Sequence, residues 1–100
     1  MIKIKQLDIC GTAAQGVLVE GPGGEGHPNM IIIRCSKGYL MCGYLNIDAA
    51  ENFGDAAVLV GGADFDAVLA NPIKGMTTAA CDAGVREGMT GAEAAAVLNA

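Results

Sequence analysis

Apolar and polar residues alternate near the amino terminus of the chain, and a second apolar run follows at residues 17–19. The pair Gly11-Thr12 between them is typical of a turn. Alternation before a turn and a short apolar run after it predict two strands joined as a hairpin. Because the apolar parity changes between Ile4 and Leu7, the pattern also predicts a bulge, bend or break in the first strand.

Two strongly apolar segments, Met30 to Cys35 and Tyr39 to Leu45, are joined by a short connection that contains glycine. This spacing predicts a second hairpin. A three-residue loop would shift the pairing by one residue relative to a two-residue loop, yet both faces would stay equally apolar. With a two-residue loop at Lys37-Gly38, one face collects Ile31, Ile33, Cys35, Leu40, Cys42 and Tyr44, and the other collects Met30, Ile32, Arg34, Tyr39, Met41 and Leu45.

Both faces of this predicted hairpin are therefore largely apolar. A chain of 100 residues can cover one face with its own helices and has little left for the other. An uncovered apolar face favours association with another subunit. We expect a homo-oligomer, either a dimer or a tetramer. The pattern does not decide which of the two faces forms its interface. The candidate interface residues are Ile31, Ile33, Leu40 and Tyr44.

The second half of the chain is rich in alanine and carries four signals for the start of a helix. Each signal is an Asp or Thr placed where its side chain can cap the helix. An apolar run at residues 56–60 predicts one buried strand among these helices. The predicted fold class is α+β, with N-terminal antiparallel β-hairpins followed by a helix-rich C-terminal half with one further strand, in a single domain of residues 1–100. The predicted caps are Asp48, Asp64, Thr77 and Thr90, and the predicted helix ends are Gly54, Asn71 and Gly84.

The composition, with 52% apolar and 17% charged residues, is typical of one globular domain. The net charge of −5 argues against nucleic acid or an anionic membrane as a partner. A membrane-spanning helix requires about 20 consecutive apolar residues, and every apolar stretch in the sequence is much shorter. The amino terminus also lacks the apolar core of a secretory signal. We expect a cytoplasmic protein.

The four cysteines include no C-x-x-C pair, so the sequence predicts neither a zinc site nor a disulfide framework, and we expect no metal or cofactor. Cys42 is a candidate nucleophile if a base or a cation such as Arg34 or Lys37 stabilises its thiolate. Packing in a strand is the alternative role for this thiol. His27, the single histidine, is a further candidate for catalysis or ligand binding.

Arg34 interrupts an apolar strand and would carry a charge into a sheet face. A guanidinium in that position needs a carboxylate partner. Asp48, Glu51 or an acid of a neighbouring subunit are the candidate partners, and ligand binding is the alternative role for Arg34.

A glycine-rich segment, residues 21–26, spells the dinucleotide motif G-x-G-x-x-G. In that motif the loop opens a helix whose N-terminus faces a pyrophosphate. Here the segment leads into the β-branched run Ile31 to Ile33 instead, which favours a loop without a cofactor.

Two segments carry a resemblance to a known family. The stretch from Lys37 to Asn46, with the helix opening that follows it, and the later stretch from Gly88 to Ala94 resemble the YunC-like family of bacterial and archaeal domains of unknown function. The resemblance implies an α+β domain whose N-terminal β region mediates tetramerisation. It implies no reaction and no catalytic residue. The chain departs from the family pattern in its glycine-rich loop and at Cys81.

Two functions follow from these observations. The first is a small homo-oligomeric binding or scaffold module with no assignable reaction, which the two apolar hairpin faces favour. The second is a thiol-dependent enzyme or redox protein that uses Cys42, with His27 of the same or an adjacent subunit as its partner.

Overall fold

The computed structural model describes residues 1–21 and 29–100. Within these residues the chain forms one six-stranded mixed sheet whose strands lie in chain order. All neighbouring strands are antiparallel except the fourth and fifth, which are parallel. The strands are β1 (Ile2–Ile9), β2 (Thr12–Val19), β3 (Met30–Arg34), β4 (Gly38–Met41), β5 (Ala56–Leu59) and β6 (Gly75–Met76).

Four helices in the described part of the chain complete the domain and confirm the predicted α+β class. They are α1 (Ile47–Phe53), α2 (Phe65–Ala70), α3 (Thr78–Ala83) and α4 (Gly91–Leu98). Strand β5 is the predicted further strand, and the two-residue β6 is an addition to the prediction. Residues 22–26 of the predicted glycine-rich loop, and His27, lie outside the described residues.

The predicted caps are correct for three helices, because a cap depends on a few adjacent residues. Asp64, Thr77 and Thr90 each accept a backbone N–H with their side chain, and Thr90 forms a capping box with Glu93. The prediction of Asp48 as the cap of α1 is wrong. Asn46 caps that helix, with its side chain accepting the N–H groups of the second and third residues that follow.

The first hairpin turns at Cys10 and Gly11, whose φ angles of 53° and 87° are both left-handed. Such angles match a two-residue turn between twisted antiparallel strands. The predicted bulge in β1 is wrong, since every residue of β1 pairs with one residue of β2. The parity changes because Ile4 points to solvent, 74% exposed, whereas Leu7 points into the core.

The second hairpin has a two-residue loop, but at Ser36 and Lys37 rather than one residue later. Ile33 pairs with Leu40, and the strand β4 begins at Gly38. The pairing is therefore shifted by two residues from the prediction. Because side chains alternate with a period of two residues, this shift leaves the predicted faces unchanged.

Helices α2, α3 and α4 cover one face of the sheet. The side chains of Ile31, Ile33 and Leu40 are 1%, 0% and 0% exposed in the core beneath them. The prediction that these three residues form an oligomer interface is therefore wrong, because the chain's own helices bury them. Tyr44, the fourth predicted interface residue, is 51% exposed.

The opposite face of the sheet is only partly covered. Helix α1 packs on β4 and β5, where Met41, Ala50 and Ala57 form a small second core. Among the described residues, no helix lies on this side of β1 to β3. We call the apolar side chains on this side of the three strands the open β-face. Its members are the exposed Ile2 and Ile4 and the half-buried Val17, Val19, Met30 and Ile32.

Helices α1 and α3 are linked through Glu51. The N–H of Thr78 donates to Glu51 Oε2 at 2.8 Å, and the Thr78 hydroxyl donates to Oε1. These hydrogen bonds lower the pKa of Glu51 from its ordinary value of 4.5. The link therefore contributes its full stability above the ordinary glutamate pKa and loses it as the pH falls through the lowered folded pKa.

We predict that Glu51→Gln removes part of the acid sensitivity of the fold. The substituted amide has no carboxylate to protonate, so the variant should lose less stability than the parent protein as the pH falls below 4.5. Thermal unfolding followed across this pH range measures the difference. Equal slopes for the two proteins would contradict the prediction, and Glu87→Gln is the matched control at an exposed acid for which no such link is present.

Helix α4 begins where it touches α2. A Cβ added at Gly91 would overlap the backbone carbonyl oxygen of Val68, so only glycine permits this approach. By contrast, a Cβ added at Gly75 would find its nearest neighbour, Leu59 Cβ, at 3.9 Å.

We therefore predict that Gly91→Ala destabilises the fold by about 1–3 kcal/mol, since backbone atoms must move to relieve the overlap. Gly75→Ala is the matched control, and its effect should stay within about 0.5 kcal/mol. Urea unfolding of both variants measures the two changes. A Gly91→Ala variant as stable as the parent protein would show that α2 and α4 do not approach so closely.

Candidate functional site

A cleft of about 330 Å³ opens at the carboxyl ends of β4 and β5. Because these two strands are parallel, the segments that leave them meet at the same edge of the sheet. Ligands of open α/β sheets bind at such edges. The cleft is lined by Asn29, Cys42, Gly43, Tyr44, Gly61 and Gly62.

Asn29 joins two of the segments around this cleft. Its amide nitrogen donates to the carbonyl oxygen of Ala63 at 2.9 Å, and its amide oxygen accepts the N–H of Gly21 at 3.3 Å. On the other side, a Cβ at Gly62 would lie 2.7 Å from the backbone nitrogen of Val68. Gly62 therefore allows the strand exit to pass directly against α2.

Cys42 forms part of the cleft wall and is 5% exposed. The N–H of Ile31 donates to Cys42 Sγ at 3.3 Å, and the N–H of Cys42 donates to the Ile31 carbonyl at 3.2 Å. These two bonds continue the pairing of β3 with β4 and fix the thiol in place. The sulfur is thus buried and already accepts a hydrogen bond.

The structure does not bring the predicted cations to Cys42. Arg34 and Lys37 lie at the opposite end of the second hairpin, where Arg34 pairs with Tyr39. Three residues of β3 separate Arg34 from Ile31, the neighbour of Cys42, which corresponds to about 10 Å along a strand. The predicted stabilisation of a Cys42 thiolate by Arg34 or Lys37 is therefore wrong.

Arg34 is exposed and pairs with neither Asp48 nor Glu51. Among residues 1–21 and 29–100, the one ion pair joins the Met1 amino group to Glu20 at 3.6 Å. The predicted internal ion pair of Arg34 is absent from these residues. The strand partner of Arg34 is Tyr39, whose hydroxyl donates to Asp55 at 2.8 Å, and burial together with this bond raises the pKa of Tyr39 to about 12.

The cysteines fall into two classes by exposure. Cys35 and Cys42 are buried, whereas Cys10 and Cys81 are exposed, and all four are free thiols. Burial raises the pKa of Cys35 to about 11. The part of the chain that the structure describes holds no group of three or more His, Cys, Asp or Glu residues that could bind a metal ion.

Comparison with known families places these residues in a defined domain. The family model described as "Domain of unknown function (DUF1805)" matches residues 41–98, more than half of the chain. The chain belongs to the DUF1805 family. A crystal structure of a protein of unknown function from Thermoplasma acidophilum is also similar, with 29% identity and a TM-score of 0.85 over 98% of this chain and 93% of that one. No curated protein matches the chain.

The DUF1805 match includes most of the cleft. It begins at Met41 and contains Cys42, Gly61 and Gly62, whereas Asn29 precedes it. The family and the similar protein are both described as of unknown function. No helix among the described residues is long and apolar enough to cross a membrane.

Sequence reasoning identified Cys42 but missed its neighbours in the cleft. The pair Gly61-Gly62 directly follows a predicted buried strand. This position at the end of a strand could have indicated that the two glycines line a cleft. Asn29 had no such signal, because its side-chain bonds depend on the distant Ala63.

We predict that the buried thiols react slowly with iodoacetamide in the native protein. Cys35 carries a proton at about pH 8 because its folded pKa is about 11, and Cys42 is only 5% exposed. Peptide mass spectrometry after brief alkylation measures each rate, with the urea-unfolded protein as control. A Cys42 that reacts faster than Cys10 would contradict this expectation.

Proposed function

We propose that this DUF1805 protein is a homo-oligomeric binding or scaffold module, in which a second copy of the chain covers the open β-face. The apolar side chains of the open β-face carry this proposal. Ile2 and Ile4 are 66% and 74% exposed on a face where helix α1 reaches only β4 and β5. Half-buried apolar side chains continue this surface across β2 and β3, and an apolar surface of this kind is typical of an interaction site.

The polar end of the same face supports a second copy as the occupant. Asp8 on β1 and Arg34 on β3 point to the same side of the sheet, and paired Gln6 and Gln15 lie between them. A surface that carries both an acid and a base at one end can pair with a two-fold copy of itself, because each charge then meets its opposite. The Arg34 partner that the sequence requires is then Asp8 of the other copy.

The number of copies in the proposed assembly rests on the resemblance to the YunC-like family. That resemblance favours a tetramer assembled through the N-terminal β region, which is where the open β-face lies. A tetramer needs a second contact surface besides this face, and Phe53, 79% exposed at the end of α1, offers one. Four free cysteines support a cytoplasmic location, since disulfides are rare in reducing compartments.

We predict that Ile4→Asp weakens or abolishes self-association, because it places a charge in the centre of a buried apolar contact. Lys5→Gln is the matched control, since it changes the net charge by the same amount on the opposite face of β1. Light scattering coupled to size exclusion measures the mass of the parent and both variants. The parent and Lys5→Gln should be oligomers at micromolar concentration, and Ile4→Asp should be a monomer or a smaller assembly.

A parent protein that is monomeric under these conditions would end the proposal. Circular dichroism of the Ile4→Asp variant should match the parent, because residue 4 contributes nothing to the core. An unchanged spectrum with a reduced mass therefore assigns the effect to the interface.

The second candidate function is a thiol-dependent reaction at Cys42. The observation that favours it is the position of this thiol in the wall of a cleft at the carboxyl ends of two parallel strands. His27 is the proposed base, from the same or an adjacent copy. This function requires Cys42 to react at neutral pH and Cys42→Ser to abolish that reaction, so the alkylation experiment above separates the two candidates.

A further inference from the structure

The side of the sheet that carries the open β-face has an apolar end and a polar end. The register of β1 to β3 arranges the side chains on this side in rows that run across the three strands. The apolar rows are formed by Ile2, Val19 and Met30 and by Ile4, Val17 and Ile32, and the polar end by Gln6, Gln15 and Arg34 with Asp8 beyond them. A second copy must place apolar rows on apolar rows, because a charge buried against apolar side chains is costly.

The direction of the two-fold axis decides which rows meet. An axis perpendicular to the strands would exchange the two ends and place apolar rows on polar ones. A diagonal axis would place Arg34 either against its own copy or against Ile2. An axis parallel to the strands keeps each row at its own level and exchanges β1 with β3. Ile4 then lies over Ile32 of the second copy, and Asp8 lies one row from Arg34 of that copy.

Helix α1 stands on the same side of the sheet as the open β-face. It covers β4 and β5, where Ala50 packs with Met41 and Ala57. A helix about 10 Å in diameter and a second sheet stacked about 10 Å away occupy the same layer above the first sheet. With the parallel axis, β1 of the second copy lies over β3, directly beside this helix. The neighbour of α1 in that layer is thus the outer edge of β1, with which no strand of the described residues pairs.

We propose that two copies stack through the open β-face about a two-fold axis parallel to β2, so that α1 of each copy covers the free edge of β1 in the other. This inference rests on the proposed function and adds the orientation of the second copy and a second contact element. An uncovered edge strand is a template for unwanted pairing, and a helix laid against it is one of the ways in which proteins protect such edges.

One side of α1 is free to make this contact. Glu51 faces the far edge of the sheet, since it binds Thr78, which lies two residues after β6. Residues two apart on a helix point about 200° apart, so Ala49 points the opposite way, towards the open β-face. Its half-buried, small side chain lets a strand approach α1 closely.

The first experiment mixes two charge variants. Asp8→Arg and Arg34→Asp each replace an attraction between copies by a repulsion, so each alone should raise the dissociation constant at least about ten-fold. An equimolar mixture should regain the parent value, because an arginine at position 8 meets an aspartate at position 34 and the native pair re-forms in the other contact. Glu87→Arg, between α3 and α4, is the matched control for charge and should leave association unchanged. Analytical ultracentrifugation measures each constant.

The second experiment locates the axis by oxidising cysteine variants with copper phenanthroline. Gln15→Cys should form a disulfide with its own copy, because β2 lies on the axis. Gln6→Cys is the matched control from the same row, and it should not link, since two strand spacings of about 5 Å each separate it from its own copy. Peptide mass spectrometry distinguishes these links from links at the native cysteines.

The third experiment tests the contact of α1. Ala49→Glu should weaken association at least about ten-fold, because it places a charge and extra bulk against the edge of β1. Ala92→Glu is the matched control, since it makes the same substitution at an exposed position of α4. Circular dichroism of every variant should match the parent protein, because each replaced side chain is exposed or half-buried.

The outcomes separate this inference from the proposed function. A monomeric parent protein would end both. An oligomeric parent whose mixed charge variants stay dissociated, or whose Gln15→Cys copies do not link, would overturn the parallel axis and leave the open β-face as the interface. Association that is unchanged in Ala49→Glu would overturn the contact between α1 and β1.

Discussion

The two faces of the sheet set the organisation of this domain. Side chains on a strand alternate between the faces, so each strand that is apolar on both sides needs a cover on both sides. Three helices cover one face along most of the sheet, and the single helix α1 covers β4 and β5 on the other. No helix of the described residues lies over the remaining apolar surface, the open β-face.

The crossover through α1 also creates the cleft. A parallel pair of strands cannot be joined by a tight turn, so the chain must leave β4, form α1 and return to the start of β5. This path brings the exits of both strands to one edge, where Cys42 and Gly61 come together. The connection from β4 through α1 to β5 therefore has two consequences. It places α1 over the second core, and it sets the position of the cleft.

The sequence predicted those features that depend on neighbouring residues. Thr77 and Thr90 cap their helices because the bonded N–H groups lie within three residues of each hydroxyl. The pattern of the second hairpin also predicted which residues share a face. It did not predict which face the helices would cover, since Ile31 and Ile32 are equally apolar and only the packing of distant helices distinguishes them.

The candidate site was harder to predict for the same reason. Cys42 stood out by its residue type, but its burial and its bond from Ile31 depend on the pairing of two strands. The separation of Arg34 from Cys42 also follows from strand direction and not from residue type. Asp48 illustrates the limit even for local signals, because Asn46, two residues earlier, took the role of the cap.

The edge strand β1 has different chemistry on its two faces. Its N-terminal half has isoleucines on the open β-face and Lys3 and Lys5 on the other, and no strand of the described residues pairs with its outer edge. Pairing of β1 with β1 of a second copy would bring these lysines close to their own equivalents, and like charges on adjacent strands repel. The same strand thus has apolar side chains on one face and, on the other, charges that oppose its pairing with a second β1.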